Sequence, residues 1–208
     1  MGILAEIRDR DMGGEHAADV WEYFQRNPSI LHYPDHWLEL TAPSGVEDTQ
    51  GSILNTIHVL HEAMLRNDGV GISAPQVGHS TRIILSPWND TMYAWVDPIV
   101  HTLTPHVSIA EEGCLSLPGI YANVPRSDRV VVRAPMIYDI AAGEWRDWNY
   151  LVFWALEARI VQHEIDHLNG ILFTDRMIPG TLVYRRREET PRHGSPEWGG
   201  VLPEGSLG

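Results

Sequence analysis

His163-Glu164-Ile165-Asp166-His167 is the densest run of chemistry-bearing residues in the sequence. On a helix, two histidines four apart share a face, so both imidazoles can reach one metal ion. Glu164, one step round from His163, can lie beside that metal without binding it and act as base toward a water there. Two histidines do not complete a catalytic metal site, which usually takes three protein ligands and keeps one position open. Downstream candidates for a third ligand are Asp175, Glu188, Glu189 and His193; six residues past the second histidine stands Phe173. Upstream, the single cysteine, Cys114, lies in Glu111-Glu112-Gly113-Cys114-Leu115-Ser116-Leu117-Pro118-Gly119. A thiolate suits a borderline divalent metal. Gly113 and Pro118-Gly119 mark a strand end or tight turn, where a ligand can be aimed into a cleft. The other role for a lone cysteine is a small buried hydrophobe. The third segment is Gly69-Val70-Gly71-Ile72-Ser73-Ala74-Pro75-Gln76. It is no dinucleotide fingerprint, because a helix pattern precedes it and Pro75 follows. It reads as backbone that comes close to a ligand, with Gln76 offering an amide donor.

The elements that must carry these groups follow from hydrophobic period. Ile53, Ile57, Leu60 and Met64 recur at steps of three and four, which predicts a helix over Ser52 to Asn67 that stops at Asp68-Gly69. Phe153, Leu156, Ile160 and Leu168 predict a second helix from about Tyr150 to Asn169, with Asn169-Gly170 as its stop. It carries the two histidines in its last two turns. Arg82 to Leu85, Met92 to Val100, Val107 to Ala110, Val130 to Arg133 and Met136 to Ile140 read as strands. Two helices among antiparallel-looking strands make an α+β domain. Residues 1–28 read as an extension, partly helical between Glu15 and Gln25; residues 29–180 form the domain; the Pro- and Gly-rich residues 181–208 read as a flexible tail.

Composition narrows the chemistry further. The 208 residues carry 28 Asp+Glu against 15 Lys+Arg, a net charge of −13, which argues against nucleic acid as a direct partner. Every basic residue is Arg, so lysine Schiff-base and P-loop mechanisms are excluded. One cysteine cannot form an internal disulfide. No apolar stretch reaches membrane-spanning length, and the acidic N-terminus fits neither a secretory signal nor a transit peptide. The reading is a cytoplasmic protein of a bacterium or phage, with organelle import not excluded if a transit peptide has been removed.

The three segments together resemble the peptide deformylases, a family marked by a GxGxxAxQ loop, an EGCLS segment and a QHExDHLxG helix in that order. Here they stand as GVGISAPQ, EGCLS at Glu112 to Ser116, and QHEIDHLNG at Gln162 to Gly170. Ser29 to Pro43, Val124-Pro125-Arg126 and Ile171 to Arg176 also match, so the resemblance runs from about Ile30 to Met177. It implies antiparallel and mixed sheets packed around a central C-terminal helix that carries the HExxH string. It also implies one divalent metal held by Cys114, His163 and His167, typically Fe(II), with Zn, Ni or Co able to occupy the site. Glu164 would be the general base; the Gln76 amide and the Leu115 backbone N–H would stabilise the oxyanion. Val70, Gly71 and Gly113 would hold the peptide as an added strand. Tyr121, Leu156 and Ile160 would face the cleft or line a methionine pocket. The substrate would be the formyl-methionine end of a nascent chain, met near the ribosome exit region, and the product formate.

Smaller expectations attach to other residues. Arg126 and Asp166 would pair and fix the ligand helix. Glu111 or Glu112 would be a structural acid bonding nearby backbone. Trp88, Trp95, Trp145, Trp148 and Trp154 would be core or surface aromatics. The chain departs from the family pattern at Ser73, where Ala is commoner, at Asp97-Pro98 in place of Asn-Pro, and at Trp37 to Leu40, which lack the usual Arg. Two other readings stay open. One is a zinc endopeptidase with a carboxylate or His third ligand. The other is a pseudo-enzyme that binds a peptide or ribosomal surface without turnover.

Overall fold

The computed structural model describes residues 50–185. The proposed N-terminal helix, the 1–28 extension, the matched segment 29–43 and the tail from 186 lie outside the described residues.

Helix α1 (Gln50–Arg66) forms where the spacing predicts. Its stripe of Ile53, Ile57, Leu60, Ala63 and Met64 is buried against one face of a five-stranded sheet. The helix stops because Asp68 turns to φ 53 and the Gly69 N–H returns to the Met64 carbonyl at 3.0 Å. That sheet runs β1-β2-β3-β8-β9, built from β1 (Ile72–Ser73), β2 (Ile83–Trp88), β3 (Thr91–Val96), β8 (Met136–Asp139) and β9 (Glu144–Arg146), all antiparallel. Successive side chains of a strand point to opposite faces. Accordingly Ile83 and Leu85 pack with α1, while Ile84 packs on the other side.

The other side is the larger core. A three-stranded sheet, β10 (Tyr150–Trp154), β7 (Arg129–Arg133) and β4 (Ile99–Leu103), brings in Val130, Val132, Leu151 and Phe153. Between the sheets lies α2 (Ala155–Leu168), with Ala158, Val161, Ile165 and Leu168 buried. Each fully buried Val, Leu, Ile or Phe contributes about 1.5–3 kcal/mol. A third antiparallel sheet, β11-β6-β5, is made of β5 (Val107–Cys114), β6 (Leu117–Ser127) and β11 (Val183–Tyr184). The α+β class and the central HExxH helix are as expected.

Three expectations need correction. The second helix does not begin at Tyr150. Tyr150 to Trp154 pair with β7, their burial alternating from exposed to buried, and aromatic and β-branched side chains suit that pleat. The helix starts only at Ala155, whose φ of 47 makes the sharp corner. The strand read over Met92 to Val100 is broken at Asp97 (φ 50) and Pro98 into β3 and β4. The boundary at 180 also falls too early. Val183 pairs with Tyr121 and Tyr184 with Ile120, so these tail residues complete a sheet.

Helix α2 is anchored at both ends. The Ala155 N–H donates to the Asp128 carbonyl at 2.8 Å. At the far end Gly170 takes φ 70 and the Ile171 N–H reaches the Asp166 carbonyl at 3.0 Å. Arg82 donates to the Leu168 carbonyl at 3.0 Å, placing a cation at the negative helix end.

Candidate active site

Cys114 ends β5 at a break in register. Gly113 pairs with Tyr121, but the next residue, Cys114, pairs with Leu117. Such a break turns a side chain away from the ladder, and it brings the Cys114 thiol to the ligand face of α2. Cys114 Sγ lies 3.3 Å from His167 Nε2. The ligand atoms of Cys114, His163 and His167 all lie within 4.8 Å of one another. Tetrahedral bonds of about 2.0–2.3 Å put two donor atoms about 3.5 Å apart, so one cation fits among them. Among the described residues these three form the one such group. Asp175, a candidate third ligand, instead accepts the Leu172 N–H at 2.8 Å. Glu188, Glu189 and His193 lie outside the described residues. The zinc-endopeptidase ligand set thus has no support here.

The charges around the ligands are paired almost without exception. His163 Nδ1 lies 3.0 Å from Glu112 Oε2, which leaves Nε2 for a metal. Glu112 also accepts from Arg126 Nε and Nη2 at 3.0 Å each and from Arg159 Nη1 at 2.6 Å. Arg126 pairs with Asp166 as expected, and Arg176 grips the same carboxylate at 2.6 and 2.7 Å. Glu112 and Glu111 do not serve nearby backbone. Glu112 joins this buried network, and Glu111 is clamped by Arg185 at 2.5 and 2.7 Å. The reason is geometric: on β5 alternate residues face opposite sides, so Glu112 points inward and Glu111 outward.

Electrostatics follow from this packing. Burial pushes the Glu112 carboxyl up, yet His163 and Arg126 prevail and hold it well below the ordinary range. Burial opposes protonation of His163, but Cys114 and Glu112 prevail and hold it well above the imidazole value. Burial, with His163 beside it, pushes His167 well below. The donor set therefore favours one added positive charge, the demand that a divalent cation meets more strongly. Burial raises Glu164 to about 7, against the pull of His163 and of a hydrogen bond with Ser73. Glu164 Oε2 is buried and, among the described residues, has no hydrogen-bond partner. A buried acceptor in that state suits a proton donor from outside the chain, such as water.

The glycine loop delivers the remaining groups. Gly71 sits directly over α2: a Cβ there would lie 2.8 Å from both Glu164 Oε1 and Ile160 Cγ2. The Gln76 amide is buried, its Nε2 3.6 Å from Cys114 Sγ and 3.4 Å from Ser116 Oγ. Leu115 follows Cys114, half-buried, and its Cδ1 fills the space where Gly69 has no Cβ. Gly113 is covered by the Tyr121 ring, which would be 2.6 Å from a Cβ. Ile160 is buried one turn before Glu164, and Leu156, half-buried, lies one turn earlier still. Val70 is half-buried between the two glycines. The structure thus brings together Gln76, Cys114, His163, Glu164, His167, Gly71 and Ile160, while Tyr121 and Gly113 flank Cys114 on the strand side. Sequence reasoning missed Arg159, Arg176, Phe173, whose ring stacks on His163 at 6.1 Å, and Ser73. Arg159 had one visible signal: it stands four residues before His163, on the same helix face.

Comparison with known proteins points one way. A family model described as polypeptide deformylase matches residues 28–182. A peptide deformylase of Thermotoga petrophila is 38% identical over 133 residues, covering 64% of this chain and 77% of its own. The chloroplastic peptide deformylase 1B of Oryza sativa subsp. japonica is 34% identical over 166 residues, covering 77% of this chain and 58% of its own. Among solved structures, the Thermotoga maritima peptide deformylase superposes with a TM-score of 0.61 at 34% identity, over 72% of this chain and 97% of that one. A peptide deformylase from Synechococcus elongatus, in complex with actinonin, gives 0.62 at 32% identity, over 73% and 79%.

Proposed function

The chain belongs to the polypeptide deformylase family, and from that premise we propose a role for each residue of its site. The reaction is the removal of the formyl group from the N-terminal methionine of nascent polypeptides, a metal-dependent hydrolysis that releases formate. Cys114, His163 and His167 would hold the cation, and the mutual reach of their ligand atoms within 4.8 Å carries this reading. When bound, the cation supplies Lewis acidity and makes water a ready nucleophile near neutral pH. We assign it as Fe(II), with Zn, Ni or Co able to substitute, because one thiolate and two imidazoles suit all four.

Glu164 takes a proton from the attacking water as its oxygen bonds to the formyl carbon. The carbonyl oxygen gains the negative charge, and the Gln76 Nε2–H and Leu115 backbone N–H donate to it. The C–N bond then breaks, Glu164 hands its proton to the leaving amine, and formate departs. The peptide lies as an added strand along Val70 and Gly71, beside Gly113. Two features support this: β1 and β5 each end a sheet, and extended backbone there leaves an open edge. Tyr121, Leu156 and Ile160 supply apolar surface for the methionine side chain. No described helix is long and apolar enough to cross a membrane. We place the enzyme in a reducing cytoplasm, where a ferrous thiolate survives, acting on chains as they leave the ribosome.

Anaerobic purification with metal analysis tests the ligand assignment. About one iron per chain should be found, with iron and activity falling after prolonged exposure to air. Cys114→Ala should lose the metal. A Cys114→Ala protein with full metal content would refute the assignment, and an iron form indifferent to air would refute the choice of iron.

A further inference from the structure

Two donors of one residue converge on one oxygen beside the metal ligands. The Ser73 backbone N–H and the Ser73 hydroxyl each reach Gln76 Oε1 at 2.8 Å. Both residues are buried, Ser73 at 0% and Gln76 at 1% exposure. An amide oxygen has two lone pairs, so this pair of bonds fills it. The other end of the amide, Nε2, is thereby left toward Cys114 Sγ and Ser116 Oγ. A single bond to the backbone would let the amide plane swing; the second fixes it. One buried residue thus holds the amide oxygen with two donors.

We propose that Ser73 is a positioning residue for deformylation: together with its backbone N–H, its hydroxyl fixes the plane of the Gln76 amide that receives the oxyanion. The inference rests on the role assigned above to Gln76. A buried hydroxyl is costly without a partner, and the Gln76 amide oxygen supplies one. The competing role is local. Ser73 also precedes the short 3-10 turn Ala74–Val77 as its N-cap, which would make it a structural residue only. Positioning and capping differ in what they change: a fixed oxyanion donor acts on kcat, whereas a cap acts on stability.

The test uses the full chain loaded with zinc. Parent, Ser73→Ala, Gln76→Ala and the double variant are assayed for formate release from a formyl-Met peptide. The side-chain amide resonances of Gln76 are followed by NMR in parent and Ser73→Ala. Ser73→Ala should lower kcat about tenfold with KM within about twofold. It should add less than about twofold in the Gln76→Ala background, and it should shift or broaden the Gln76 amide pair. A kcat within twofold of the parent, an undiminished loss in the Gln76→Ala background, or an unmoved Gln76 amide would each overturn the proposal. A parent that releases no formate would instead overturn the assigned function. A parent that is active while Gln76→Ala is impaired and Ser73→Ala is normal removes only the role of Ser73.

Discussion

Glu112 Oε2 lies 3.0 Å from His163 Nδ1, and Arg126 and Arg159 hold the same carboxylate from its other sides. A strand residue two positions before the thiol ligand thereby orients an imidazole on the helix. The carboxylate selects the tautomer that presents Nε2 to the metal, and the arginines keep it ionised. Glu112→Gln should weaken metal affinity by about 10–100-fold. Competition against a chelator of known affinity measures this. An unchanged affinity would show that Glu112 only balances the arginines.

Glu164 should show opposed effects on activity and stability. Burial raises its carboxyl to about 7 from 4.5. An acid whose pKa is raised in the folded state costs nothing below its unfolded value. The cost then grows as pH climbs through the interval and is complete above the folded value, reaching ~3 kcal/mol in the metal-free protein. Glu164→Gln should therefore abolish turnover while raising the melting temperature of the metal-free protein at pH 8, with no such gain near pH 4. Equal shifts at both pH values would contradict the burial argument.

Gly71 is where the glycine loop touches the catalytic helix. A methyl there meets Glu164 Oε1 and Ile160 Cγ2, each at 2.8 Å, and both side chains are buried. Gly71→Ala should lower kcat/KM about 100-fold through displacement of the base and the peptide strand. The ligands Cys114, His163 and His167 are not in its path, so metal content should stay near that of the parent. Loss of metal along with activity would point to general collapse of the site.

Asp139 offers a test of stability away from the chemistry. Hydrogen bonds from Arg146 at 2.5 Å and from the Ala142 N–H at 2.9 Å hold its carboxyl below the ordinary range. For a depressed carboxyl, the stabilisation is present above the unfolded pKa and disappears as pH falls through the folded one. Asp139→Asn should therefore be less stable than the parent at pH 7, with the deficit shrinking by about pH 3. Urea unfolding at both pH values measures it, and a constant deficit would mean that the charge contributes nothing.

The helices were legible because a 3.6-residue period survives in Ile53, Ile57, Leu60 and Met64, and because Gly170 marks an end unambiguously. The start of α2 was not, since Tyr150 to Trp154 is apolar enough to continue a helical stripe. Only its pairing with Arg129 to Arg133 makes it a strand. β6 also escaped notice: Pro118-Gly119 reads as a strand end or tight turn, yet pairing with β5 carries the chain onward from it. In the site, Cys114, His163, Glu164 and His167 stood out by residue type and spacing. Ser73, Arg159 and Arg176 did not. Each acts through a partner distant in sequence or through a hydroxyl that looks interchangeable with a methyl, so only the folded arrangement shows what it touches.

The most direct measurement of the central claim is formate release from a formyl-Met peptide by anaerobically prepared, metal-loaded protein, run beside Glu164→Ala with the same metal content. The account predicts stoichiometric formate and a free N-terminal methionine from the parent, and a loss of at least about 100-fold in the variant. Metal-loaded parent that yields no formate, or that cuts an internal peptide bond instead, would contradict it.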